Sequence, residues 1–298
     1  MNTKDVIDIA SDHLNELPGH IFDLLEVTKP TSTEAAINLT KIVSKLSPLV
    51  GNLIEFNIVE FLNNHDELQG YGEWERQDPG FPDTIFRGNI SPTPGFEVKA
   101  WFPLATEITA RFKDSQNHFL QDQTYVTMLA WLPEFIIYGK PKIIDILIVS
   151  GAAVAKSRDD HYHNPPDYLV LEPEDTSGRT RNLQQTNTNG YKFQREKGGF
   201  NTATDRVSDW GVEGRHYKPT PEYQELNRTL IREFDYRLDT NFAKMDRIGN
   251  EEIEAFKTRV YSTQYKGMSV GEWNRLLSRG GEDEVAAALA EYVDIKED

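Results

Sequence analysis

The chain reads as an α/β protein in which a mixed central sheet is flanked by helices and followed by a helical C-terminal region. Three observations lead there: amphipathic helical segments open the chain, apolar strand-like runs occupy 81–87, 95–102, 124–132 and 142–149, and helical periodicity returns from Pro221 onward. With 298 residues, 38% of them hydrophobic, the chain can bury a substantial core.

Val6, Ile7, Ile9, Ala10 and Leu14 fall at helical spacing and predict a helix within 3–26, which Pro18-Gly19 breaks. Thr31 to Lys45 predicts a second amphipathic helix through Ile37, Leu39, Ile42 and Val43. Ser47 is placed to cap a third, with Pro48 at its first position, running to about Asn63. Beyond the first two strands, the pattern predicts a helix over 104–121, strands over 124–132 and 142–149, an Ala-rich helix over 151–162 and a strand over 167–172. Residues 173–220, rich in Thr, Asn, Gln, Gly and Arg, read as long loops, and helices are expected at 222–245, 250–262, 269–278 and 282–292. The chain is thus expected to divide into 1–220 and a helical region, 221–298, available for dimerisation.

The net charge of −16 argues against a protein that coats nucleic acid nonspecifically, because neutralising phosphates requires clustered Lys and Arg. Basic and acidic side chains nearly balance over 139–218, so a DNA-facing surface is expected there. The absence of Cys excludes disulfides and thiolate metal sites and fits a reducing cytoplasm. The first residues lack the basic start and apolar stretch of a secretory signal, and no run of 18 apolar residues suggests a membrane span.

Chemistry concentrates between Gly80 and Trp101. Side chains alternate along a strand, so Glu97 and Lys99 project to one face while Val98 points to the other. Asp83, just after Pro82, is placed to meet them from the neighbouring strand. An acid two places before a lysine recurs only at Asp294-Ile295-Lys296, in a charged tail with no strand before it. The other Pro-Asp pair, Pro166-Asp167, has no acid-x-Lys in its own unit. Two carboxylates on adjacent strand ends form an oxygen-rich site suited to Mg²⁺, and their charge favours a protonated Lys99. Glu55 faces mostly Gly51, Asn52, Ile58 and Val59 on its helix, which makes it a metal ligand, a supporting acid or half of a buried salt bridge; Glu60 faces polar neighbours and is expected in solvent.

Pro82-Asp83 followed by Glu97-Val98-Lys99, after a helix bearing Glu55 in a Gly-x-x-x-Glu setting, resembles the PD-(D/E)xK nuclease superfamily, and most of all its type II restriction endonucleases. The resemblance covers roughly 48–172 and implies an αβββαβ core. It also implies Mg²⁺ bound by Asp83 and Glu97, attack assisted by Lys99, a metal site completed by Glu55, double-stranded DNA as substrate and a homodimer in a prokaryotic cytoplasm.

Arg, Asn and Gln can pair with base edges, which makes Arg179, Arg181, Gln184, Gln185, Asn187 and Lys192, in the stretch Ser177 to Lys197, candidate DNA contacts. Trp210 to Tyr223, with Arg215, His216 and Lys218, either extends that surface or packs as core. His161 and His163 close the Ala-rich helix; residues two apart on a helix do not share a face, so they read as a helix terminus rather than a zinc site. A nicking or structure-specific repair nuclease of the same fold, and a noncatalytic acidic interaction protein, are the competing readings.

Overall fold

The computed structural model describes residues 1–23, 25–77, 80–104, 123–163, 168–171, 190–194, 198–212, 214–215, 218, 220–234, 237–239 and 250–295. They fall into two compact units, one made of residues 1–159 with 249–298 and the other of 160–248.

In the first unit, α1 (Thr3–Leu14) begins with a reciprocal cap: Asn2 accepts from the Asp5 amide and Asp5 accepts from the Asn2 amide. It buries Val6, Ile7, Ala10 and Leu14. Next, α2 (Thr33–Ile42) passes through a 3₁₀ turn, Val43–Leu46, directly into α3 (Ser47–Asn63). Ser47 was expected as a cap but is already helical, because its amide bonds back to the Ser44 carbonyl and needs no capping partner. The stretch 33–63 is long and apolar enough to cross a membrane by length and mean composition, although polar residues interrupt it and it holds no run of 18 apolar residues. In this fold α3 instead lays Val50, Ile54, Ile58 and Leu62 inward and packs against the sheet.

The sheet holds five strands in the order β1 (Gly72–Arg76), β2 (Thr84–Gly88), β3 (Gly95–Trp101), β4 (Thr124–Pro133) and β5 (Pro141–Ser150). All neighbours are antiparallel except β3 and β4, which run parallel. A parallel pair needs a long crossover; the helix expected over 104–121 lies almost wholly outside the described residues. Sequence reading missed β1, whose alternating Glu73-Trp74-Glu75 carries one inward side chain, Trp74, buried against Phe86 and Phe96. After β5 comes α4 (Gly151–His163).

The second unit contains an antiparallel sheet of β6 (Tyr168–Leu171), β7 (Gly190–Gln194) and β8 (Arg237–Asp239), in that order, with α5 (Phe200–Ser208) and α6 (Pro221–Glu233). Leu169, Phe193, Ala203, Val207 and Leu230 form its core. The expected loops over 173–220 therefore contain a strand and a helix, and the helix expected to reach 245 stops at Glu233 before β8. The apolar anchors Phe193, Ala203 and Val207 are few and stand among Thr, Asn and Asp, which left the periodicity faint. Trp210 and Tyr223 pack edge to face, Tyr223 is buried and Trp210 lies against the core, so the two ends of that segment pack, while Arg215 is exposed and His216 lies outside the described residues.

The chain then returns to the first unit with α7 (Glu251–Ser262), the short hairpin β9 (Gln264–Tyr265) and β10 (Met268–Ser269), α8 (Val270–Arg279) and α9 (Glu282–Val293). Phe256 of α7 packs on Trp101 of β3, Arg259 bonds to Asp145 of β5, and the Tyr138 hydroxyl donates to the Val293 carbonyl. The division expected at 220/221 is thus replaced by one in which 251–293 completes the first unit. The reason is long-range packing that local periodicity cannot report. The apolar faces of these helices, with Ile253, Phe256, Trp273 and Leu289 buried, are used within the chain.

Candidate active site

The antiparallel register of β2 with β3 pairs Thr84 with Phe96 and Ile85 with Gly95, which sets Asp83 opposite Glu97. Beyond that last pair, side chains replace the ladder. The Asp83 amide donates to Glu97 Oε2 at 3.2 Å, and the Val98 amide donates to Asp83 Oδ2 at 2.8 Å.

Three further features fix the Pro82-Asp83 segment. The Gln77 amide donates to the Asp83 carbonyl at 2.7 Å, and Gln77 Nε2 donates to the Pro82 carbonyl at 3.1 Å. Gly95 supplies clearance: a Cβ there would stand 2.4 Å from Pro82 Cγ and 3.0 Å from the Thr84 carbonyl oxygen. Only a residue without a side chain lets Pro82 lie this close to β3.

Glu97 and Lys99 share a strand face, as two-residue spacing requires, and Lys99 Nζ lies 2.6 Å from Glu97 Oε1 and 3.3 Å from Asp83 Oδ2. Its ammonium also donates to the Val98 carbonyl at 3.1 Å. Phe96 and Val98, of opposite parity, are fully buried. The charged triplet is therefore presented on a strand anchored from behind.

Burial alone would lower the Lys99 pKa, but the hydrogen bond to Glu97 and the charges of Glu97, Asp83 and Glu55 outweigh it and hold the amine protonated. Burial pushes the Glu97 carboxyl, only 7% exposed, above its ordinary range, and Lys99 offsets this in part. Lys99 is thus built to donate hydrogen bonds and positive charge, not to accept a proton.

Glu55 lies on the wall of a cleft of about 580 Å³ that it shares with Asp83, Arg76, Asn52 and Phe56. Burial first, then the charge of Asp83, raises its carboxyl from 4.5 to about 7. Arg76 stands 4.0 Å away, at the limit of an ion pair, and its charge is too weakly coupled to reverse the shift. A carboxyl at that value exchanges its proton near neutral pH. The surroundings of Glu55 are more polar than the apolar packing expected of it, and Glu60, a turn further on, is exposed as expected.

The donor set suits a hard cation. Asp83 keeps Oδ1 without a hydrogen-bond partner among the described residues, and the charge of Asp83 raises the proton affinity of both Glu55 and Glu97 beside a single ammonium. Among the described residues no three His, Asp or Glu side chains converge as a ready cage; Asp83 and Glu97 are the carboxylates that share Lys99, and Glu55 lines the adjoining cleft with Asp83. One or two carboxylates completed by water are the usual Mg²⁺ complement.

Arg179, Arg181, Gln184, Gln185 and Asn187 lie outside the described residues. Lys192 is within β7, its backbone paired with Val170 and Arg237. The structure instead brings Arg76, Gln77, Asn52 and Phe56 to the cleft beside Asp83, none of which sequence reading selected. For Arg76 and Gln77 the missing step was β1 itself. Comparison with protein-family models, with characterised proteins and with solved structures found no match to this chain.

Proposed function

We propose that this protein is a Mg²⁺-dependent nuclease that hydrolyses phosphodiester bonds of double-stranded DNA at a specific sequence, as type II restriction endonucleases do, and acts as a homodimer. The observation that carries the reading is the meeting of Asp83, Glu97 and Lys99 at the open end of β2 and β3, with Glu55 of α3 in the adjoining cleft. The succession α3, β1, β2, β3 and a parallel β4 is compatible with the αβββαβ core such enzymes share, and it supports the reading further.

Asp83 and Glu97 would hold the cation, which when bound polarises a phosphoryl oxygen and acidifies water. Lys99, kept cationic by its neighbours, donates toward the charge that develops on the transferring phosphoryl group. Gln77 and Gly95 keep Asp83 in register with Glu97. Arg76 faces the same cleft and supplies a phosphate contact there.

Purified protein with Mg²⁺ should cut plasmid and phage DNA into discrete fragments, and Asp83→Ala and Lys99→Ala should abolish cutting while the fold persists. Retained activity in either variant removes the site assignment. Conversion of supercoiled plasmid to open circle with no linear product would assign a nicking nuclease instead. Failure of DNA retention and of metal binding together would favour a noncatalytic acidic protein.

A further inference from the structure

The cleft beside Asp83 has a composition that the reacting groups do not account for. Leu49, Asn52 and Phe56 recur at three-, four- and seven-residue spacing, so they share one face of α3, and all three line the cleft together with Arg76 and Asp83. Leu49 and Phe56 are 51% and 52% exposed, an apolar rim on an otherwise polar opening. The Arg76 guanidinium stands 5.9 Å from the Phe56 ring centroid, and Arg76 is the one cationic side chain among the described residues that line the cleft.

We propose that this cleft seats one unpaired nucleotide of the substrate strand next to the cutting site, its base stacked on Phe56, its edge within reach of Asn52 and its phosphate facing Arg76. The proposal rests on the nuclease reading and names the form of substrate that site takes. A volume of about 580 Å³ matches a single small-molecule ligand. A duplex, whose major groove alone is about 12 Å across, is far larger. Every base has an apolar π face, so an exposed phenylalanine binds an extruded base irrespective of sequence, and a guanidinium beside the ring adds both a cation and a planar donor. The acidic lining that Glu55 and Asp83 contribute would repel a phosphate that entered without a cation, which places the phosphate on the Arg76 side.

The test uses the full chain carrying Lys99→Ala, in Mg²⁺, with two probes: a duplex bearing a single bulged 2-aminopurine and the same duplex fully paired. Affinity is read by anisotropy and stacking by 2-aminopurine emission. The bulged probe should bind more tightly, with altered emission. Adding Phe56→Ala should weaken the bulged probe alone by about 5- to 150-fold, the range of base–aromatic stacking, and Phe56→Trp should restore it. Phe56 is half exposed, so its truncation leaves the core intact, which thermal unfolding verifies.

Equal affinity for the two probes, or a preference that survives Phe56→Ala, overturns the proposal. A change of oligomeric state caused by Phe56→Ala also overturns it, by showing that the rim is a protein contact. Wild-type protein that cuts DNA while showing no bulge preference removes the nucleotide seat and leaves the nuclease reading standing. Protein that neither binds these probes nor cuts DNA removes both.

Discussion

Replacing Glu55 by Gln isolates the cost of an acid held in the cleft wall. Its carboxyl is raised from 4.5 to about 7, chiefly by burial and then by Asp83. A group whose folded-state value lies above its unfolded one prefers to be protonated in the fold. Its contribution is fully present below about pH 4.5 and is lost as pH rises through about 7. At pH above 7 the ionised side chain costs the fold about 3 kcal/mol as an upper bound. The side chain is 19% exposed, so screening by solvent reduces the cost to roughly 1–3 kcal/mol. Gln fills the same space without titrating.

Urea unfolding of both proteins in chelator, between about pH 5 and pH 8.5, should show near-equal stability at the acid end and a variant more stable by roughly 1–3 kcal/mol at the alkaline end. In thermal scans this amounts to about 2–4 °C per kcal/mol for a unit of this size. A difference that stays constant with pH, or a wild type that gains on the variant as pH rises, would refute the reasoning. The latter would mean that Arg76 at 4.0 Å outweighs burial.

Gly95→Ala should push Pro82, and with it Asp83, away from β3; a displacement near 1 Å costs on the order of 100-fold in rate, so single-turnover cutting at the wild-type rate would contradict the geometry. Phe256→Ala should destabilise the first unit by about 3–5 kcal/mol in urea unfolding, because Phe256 is fully buried against Trp101. A chain ending at residue 248 should likewise fail to unfold cooperatively, whereas a separable C-terminal region would leave 1–248 stably folded.

The charged triplet was legible in the sequence because its geometry is local. Two-residue alternation puts Glu97 and Lys99 on one face, and a Pro-Asp pair one hairpin upstream brings Asp83 alongside. Helix α3 and the long strands β4 and β5 were legible through sustained apolar periodicity. Features decided by contacts distant in sequence were not. Phe256 and Arg259 find β3 and β5 across more than a hundred residues, so local periodicity sets the helices from 251 onward apart from the unit they complete. Strand β1 holds a single buried side chain, and without it Arg76 and Gln77 had no assigned place near Asp83. Strand β8 pairs with β7 from over forty residues away, which no helical wheel of 222–245 reveals.

Calorimetric titration of Mn²⁺ or Mg²⁺ into wild-type protein, Asp83→Ala and Glu97→Ala is the most direct trial of the cation site at the meeting of β2 and β3. Saturable binding by wild type that both substitutions abolish is the expected result. Absence of binding by wild type, or affinities unchanged in both variants, would contradict it.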